Sequence, residues 1–103
     1  MKITTYEIAE KVPFNLDGRK MFTNEKVELV HLTLKPNEEI APHVNPFDVI
    51  FFILEGEGTI FYESQEIKVS PNTSVYVEKD KQRGMRNETN KLFRVLVVKI
   101  FFV

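Results

Sequence analysis

Residues 49–54 read Val-Ile-Phe-Phe-Ile-Leu, an unbroken apolar run of β-branched and aromatic residues. Such a run is typical of a strand that is covered on both faces. Upstream, Val30, Leu32 and Leu34 alternate with polar residues, which is the period of a strand with one buried face. Further β-rich segments lie at residues 59–62, 67–69, 75–77 and 93–103. Because no segment carries a sustained helical period, the sequence predicts an all-β protein.

Short turn signals separate these strands. Pro36-Asn37 and Pro71-Asn72 predict the same tight turn used twice, since proline sets φ at about −65° and asparagine tolerates positive φ. Asp17-Gly18 predicts a hairpin near the N-terminus, and Gly56-Glu57-Gly58 separates two apolar strands. Many short strands joined by such turns predict a β-sandwich or barrel.

Length and charge limit the class of protein. The 103 residues are enough for one domain, residues 1–103. Fourteen basic and fifteen acidic residues give a net charge of −1, which argues against nucleic-acid binding. No apolar run reaches the ~20 residues of a membrane helix, and the first residues lack the apolar core of a signal peptide, so we expect a cytoplasmic protein without a membrane partner. The absence of cysteine excludes disulfides, thiolate metal sites and a cysteine nucleophile.

Two stretches of this sequence resemble the motifs of the cupin family. Residues 37–56 resemble the first motif, G-x5-H-x-H-x(3,4)-E-x6-G, and residues 72–87 resemble the second, G-x5-P-x-G-x2-H-x3-N. Both fit without a gap, and asparagine stands where each motif opens with glycine. With flanking strands the resemblance covers about residues 26–100. It implies a small double-stranded β-helix, a jelly-roll barrel that is often paired as a homodimer.

The departures from these motifs concern the metal site. In cupins the motif histidines and glutamate usually hold one divalent metal. Here His43 keeps the first histidine position, but Asn45, Val49 and Arg83 occupy the other three. Divalent metals need at least three imidazole or carboxylate donors, and a guanidinium has a fixed charge and no lone pair to donate. We therefore expect no metal cofactor; any metal that did bind would find only His43 and Asn45.

We hypothesise that Arg83 has replaced the positive charge of the metal. The barrel would then bind an anionic small molecule, a carboxylate or phosphate, with hydrogen bonds from His43 and Asn45 and with Met85 lining the cavity. Alternatively, Arg83 pairs with an internal acid such as Glu78 or lies on the rim. A metal-dependent isomerase or dioxygenase with a reduced ligand set and a ligand-free structural barrel are the competing functions. No nucleophile with its base is recognisable, so binding is favoured over catalysis.

Three residues or segments carry additional predictions. His31 alternates with Val30 and Leu32, so it is expected to face away from the core, at the surface or in an interface. Asp48 neighbours Val49 on a strand and is expected to point away from the cavity. The apolar end Phe101-Phe102-Val103 predicts burial in an interface, and hence a homodimer.

Overall fold

The computed structural model describes residues 1–101, which form ten β-strands. Within this range no helix is long and apolar enough to cross a membrane. The strands are β1 (Glu10–Lys11), β2 (Asp17–Thr23), β3 (Val27–Leu34), β4 (Glu39–His43), β5 (Asp48–Glu55), β6 (Gly58–Tyr62), β7 (Gln65–Val69), β8 (Ser74–Val77), β9 (Arg83–Arg86) and β10 (Phe93–Ile100).

The strands form two antiparallel sheets. One sheet has six strands in the order β1-β2-β3-β10-β5-β8, and the other has four in the order β4-β9-β6-β7. Consecutive strands alternate between the sheets through most of the chain, which is the connectivity of a jelly roll. The predicted all-β, double-stranded β-helix is confirmed.

The core lies between the inner faces of the two sheets. In β10, Val95 pairs with Leu32 on one side and with Ile53 on the other, and all three are buried. The four-stranded sheet adds Ile60 and Met85. These positions follow the two-residue period that places alternate side chains on one face of a strand. The alternation noted in β3 is therefore the core-facing pattern.

The apolar run in β5 was expected to be covered on both faces, and this is only half correct. Val49, Phe51 and Ile53 are buried on the inner face, whereas Ile50 and Phe52 are only partly buried on the outer face. The reason is that no further sheet of the described chain packs against the outer face of β5.

The two Pro-Asn turns are confirmed. Asn37 has a φ of 69° and Asn72 a φ of 64°, the left-handed conformation that asparagine tolerates. The predicted hairpin near the N-terminus does form, between β1 and β2, but its turn lies within residues 12–16 and not at Asp17-Gly18, which begin β2. A Cβ at residue 18 would lie 2.6 Å from a methyl of Val12, so this glycine permits a close approach of the preceding segment rather than a turn.

The N-terminal segment crosses the outer face of the six-stranded sheet. The Tyr6 hydroxyl donates to Asp17, and Arg19 donates from Nε to the same carboxylate at 2.9 Å. The Tyr6 ring also packs edge-on against His31, with ring centroids 5.4 Å apart. His31 thus faces away from the core as predicted, but this segment partly buries it.

Candidate functional site

A cavity of about 540 Å³ lies inside the barrel between the two sheets. This volume is within the range of about 300–1,000 Å³ that is usual for small-molecule sites. The lining is mostly apolar, and four of its side chains are polar or charged: His43, Asn45, Arg83 and Lys99. The exposed Phe14 and His43 border the cavity and mark its open side.

A β-bulge places His43 in the lining. Ile40 pairs with Met85 and His43 pairs with Arg83, so three residues of β4 span the same distance as two of β9. In a regular ladder, Ile40 and His43 would point to opposite faces, and the extra residue restores a common inward direction. Gly84 permits the strands to meet here, because a Cβ at residue 84 would lie 2.5 Å from the carbonyl oxygen of Ile40.

Arg83 is the most deeply placed charged group of the site. Its side chain is 1% exposed, and its guanidinium donates to the backbone carbonyls of Phe47 at 3.0 Å, Glu78 at 3.4 Å and Asn45 at 3.5 Å. The Nε atom is buried without a hydrogen-bond partner. Burial lowers the pKa of Arg83, although Asp48 and other nearby carboxylates oppose the shift.

The alternative environments considered for Arg83 are not the ones found. The Glu78 carboxylate accepts a hydrogen bond from the Tyr62 hydroxyl at 2.8 Å, and only the backbone of Glu78 contacts the guanidinium. No carboxylate within residues 1–101 forms an ion pair with Arg83. The side chain is also too buried to lie on the rim.

The other three predicted site residues border the same cavity. Met85 is 1% exposed and packs in the core, two residues along β9 from Arg83. His43 is exposed, and its Nδ1 lies 3.0 Å from the carbonyl of Ala41. Asn45 follows β4, and its carbonyl accepts from the Asp80 amide at 2.9 Å as well as from Arg83. The structure therefore brings His43, Asn45, Arg83 and Met85 together around one space.

The side chains at this site do not fit a catalytic divalent metal. Val49 lines the cavity at the position where a carboxylate would be needed. Asp48 does not replace it, because its carboxylate is directed to the Lys79 amide at 2.8 Å. In the described part of the chain no three His, Asp or Glu side chains are grouped as metal ligands. One imidazole and one neutral amide beside a fixed cation are a poor donor set for iron, manganese or zinc.

One charged residue of the site escaped the sequence analysis. Lys99 lines the cavity, and its Nζ forms an ion pair of 3.1 Å with Glu28, the residue opposite it in the β3–β10 ladder. The signal was present in the sequence. Residues 93, 95 and 97 of β10 face the core, so the two-residue period also points residue 99 inward.

A separate polar groove of about 440 Å³ lies on the outer face of the four-stranded sheet. Its central group is Glu88, which accepts hydrogen bonds from Thr59 at 2.7 Å, Lys68 at 3.0 Å and Arg86 at 3.0 Å. The Thr59 hydroxyl, followed by Lys68, lowers the pKa of Glu88 to about 2. Lys68 is the only cation among the described residues that line the groove, and it is already paired with Glu88, so the groove is a poorer site for an anion than the barrel cavity.

The C-terminal segment that was predicted to lie in an interface is described up to Phe101. Phe101 is 38% exposed, and its ring packs edge-on against Phe47 with centroids 5.2 Å apart. Residues 102 and 103 lie outside the described residues. One of the three apolar side chains thus already has a partner within its own chain, and the homodimer stays a prediction.

Comparison with known proteins identifies the family and the fold. The family model described as "Cupin domain" matches residues 30–99. The protein TT1209 from Thermus thermophilus is 24% identical over 97% of both chains, with a TM-score of 0.83. An RmlC-like cupin from Shewanella frigidimarina is 13% identical, covering 99% of this chain and 92% of that one, with a TM-score of 0.88. The polyketide cyclase RemF from Streptomyces resistomycificus is 17% identical, covering 99% and 80%, with a TM-score of 0.86. The search of curated proteins gave no significant match. At these identities the likeness to the solved structures is one of fold.

Proposed function

This chain belongs to the cupin family, and we propose that it is a binding barrel that holds a small anionic molecule without a metal ion. The observation that carries the proposal is Arg83, a buried arginine at the last histidine position of the motif. Its fixed positive charge stands where related barrels keep a cation. The rest of the cavity wall is mostly apolar, which suits the non-polar part of a small organic acid.

The state of the guanidinium supports an anionic ligand. A buried charge is costly unless it is paired and its donors are satisfied. The three contacts of Arg83 are neutral carbonyls, its Nε–H has no acceptor, and no carboxylate in residues 1–101 pairs with it. A bound carboxylate or phosphate would supply a direct ion-pair partner and an acceptor for Nε–H, which the nearby carboxylates of Asp48, Asp80 and Glu78 do not. His43 and Asn45 would contribute further hydrogen bonds from the open side.

Two other functions receive less support. A metal-dependent isomerase or dioxygenase would have to operate with His43 and Asn45 as its remaining ligands. A ligand-free structural barrel would be expected to fill its interior with side chains, whereas here about 540 Å³ stays open. The polyketide cyclase among the structural neighbours is too distant in sequence for its activity to be transferred.

The proposal is tested by comparing charged and neutral ligands of the same shape. Benzoate, phenylacetate, hexanoate and phenyl phosphate are titrated into the 15N-labelled protein, each beside its neutral amide or alcohol counterpart. We expect at least one anion to bind about tenfold or more tighter than its neutral counterpart, with shifts at the Arg83 Nε–H signal. Arg83→Met should remove that preference, and Arg94→Met on the outer sheet face should retain it.

Several results would overturn this function. Binding of none of the four anions, equal binding of anion and neutral counterpart, or shifts confined to residues outside the cavity would each do so. Elemental analysis of protein purified without added metal tests the other half of the proposal. One equivalent of tightly held iron, manganese or zinc would contradict a metal-free barrel.

A further inference from the structure

A second cation lies in the wall of the same cavity. Lys99 lines the cavity from β10, and its ammonium is 6.0 Å from the centroid of the Phe47 ring. Unlike Arg83, Lys99 has a carboxylate partner, because Glu28 Oε2 lies 3.1 Å from its Nζ. The Glu28 side chain is 14% exposed and the Lys99 side chain 29%, so water screens this pair only partly.

The charges of the side chains that line the cavity and of their ion-pair partners therefore sum to one. Asp48, Asp80 and Glu78 are near enough to act on the charge of Arg83, but they do not line the cavity and add no positive charge to it. Arg83 contributes one positive charge, and the charge of Lys99 is cancelled by that of Glu28. Among the described residues that line the cavity there is no carboxylate, and Arg83 and Lys99 are the only side chains with a fixed charge. The remaining wall is apolar apart from His43 and Asn45, so a second negative charge on a ligand would have no free partner of opposite sign.

We propose that the ligand of this barrel is a monoanion with an apolar body, and that Glu28 is the residue that sets this charge selectivity. The inference rests on the proposed function, since it assumes that an anion binds at Arg83. A dicarboxylate or a phosphate monoester would place its second charge against Lys99, whose charge Glu28 already satisfies, or against apolar side chains. No ion pair then offsets the cost of removing water from the second charge, so a dianion binds more weakly than a monoanion.

The position of Phe47 gives the bound molecule its orientation. Its backbone carbonyl accepts from Arg83 at 3.0 Å, its ring lies beneath Lys99, and Phe101 packs against the ring edge. Phe47 thus contacts Arg83 through its backbone and Lys99 through its ring. An aromatic or aliphatic acid with its carboxylate at Arg83 can lay its apolar body along Phe47 toward Lys99. Its far end would then lie next to the Lys99–Glu28 pair, where a second negative charge would find no free cation.

The test compares benzoate, a monoanion, with isophthalate, a dianion of the same ring, at neutral to slightly alkaline pH. The wild-type protein should bind benzoate about tenfold or more tighter. Glu28→Gln frees the Lys99 charge, so isophthalate affinity should rise about tenfold while benzoate affinity changes less. Glu10→Gln removes the carboxylate of another Lys–Glu pair, on the β1–β2 ladder outside the cavity, and should leave both affinities unchanged.

A double variant separates charge from packing. Glu28→Gln combined with Lys99→Met removes both members of the pair and leaves the sum of cavity charges at one, so the preference for benzoate should return. An unchanged ratio in Glu28→Gln, or no recovery in the double variant, would overturn the selectivity. If wild-type protein binds benzoate and isophthalate equally, the selectivity fails while the proposed function stands. If it binds no anion at all, the proposed function fails as well.

Discussion

Arg83 lies directly opposite His43 across the β4–β9 ladder. A side chain with a fixed positive charge and an imidazole thus enter the cavity from neighbouring strands, one buried and one exposed. Such a pair cannot share one divalent cation, because the guanidinium repels the ion that the imidazole would bind. It can share one anion, with Arg83 supplying charge from inside and His43 a hydrogen bond from the open side.

The guanidinium also braces the loops around the cavity. It donates to carbonyls of Phe47 before β5 and of Glu78 after β8, as well as to Asn45 after β4. We predict that Arg83→Lys lowers the free energy of unfolding by about 1–3 kcal/mol, because an ammonium cannot reach carbonyls arranged around a planar fork. Urea denaturation measures the change.

The matched control for this variant is Arg94→Lys. Arg94 donates to Thr33 and pairs with Glu55 on the outer sheet face, with 29% of its side chain exposed. Its replacement should cost less than about 1 kcal/mol, since exposed ion pairs contribute little. Equal losses in the two variants would mean that Arg83 has no special bracing role.

The sequence predicted those features of the fold that depend only on residues close together in the chain, such as turn conformation and the buried face of a strand. The positive φ of Asn37 and Asn72 follows from the Pro-Asn pairs, and the buried face of β3 follows from alternation. The role of Gly18 was predicted wrongly because it depends on a packing contact and not on a turn: the methyls of Val12 lie where a Cβ of residue 18 would be. The two-sided burial expected for residues 49–54 failed for a similar reason, since an apolar run does not reveal how many layers surround it.

The sequence predicted which residues meet at the candidate site, but not which atoms Arg83 contacts there. The motif positions predicted His43, Asn45 and Arg83 at one site, and Met85 was added as a close neighbour of Arg83 on the same segment. The alternation of inward and outward side chains along β10 could have added Lys99. The partners of Arg83 are backbone carbonyls, which every residue carries, so no sequence pattern marks them. Which carbonyls turn inward depends on the path of the loops after β4 and β8.

Asn72 allows a direct test of the turn chemistry. It adopts a φ of 64°, and its backbone N–H donates to the Ile53 carbonyl at 2.9 Å. We predict that Asn72→Ala destabilises the protein by about 1 kcal/mol. Alanine has a Cβ that disfavours positive φ, and it lacks the polar side chain that lets asparagine tolerate this conformation. Asn72→Gly should change stability by less than about 0.5 kcal/mol. The same two substitutions at the exposed Asn90 are the control, and a larger loss for Gly than for Ala at residue 72 would refute the argument.

Glu88 should make the protein sensitive to acid. Its pKa is lowered from 4.5 to about 2, first by the Thr59 hydroxyl and then by Lys68. A carboxyl with a lowered folded-state pKa stabilises the protein fully above the unfolded-state value, and this contribution is lost as the pH falls toward the folded-state value. The melting temperature should therefore fall less steeply between about pH 5 and pH 2 in Glu88→Gln than in the wild-type protein. Glu7→Gln on the exposed N-terminal segment should keep the wild-type slope; identical slopes in all three proteins would contradict this role.

His31 should make stability depend on pH in a higher range. Burial beneath Tyr6 lowers its pKa below 6.5, and Arg94 acts in the same direction, while Asp17 opposes it. Below about pH 6.5 the unfolded chain takes up a proton at His31 before the folded chain does, so the free energy of unfolding decreases as the pH falls through this window. His31→Phe retains a ring against Tyr6 and removes the titration, so its stability should decline less between about pH 7 and pH 5. Because Nδ1 of His31 is buried without a partner, the variant loses no hydrogen bond at that atom. An NMR titration of the His31 ring gives the direct check, and a midpoint at or above 6.5 would disprove the burial argument.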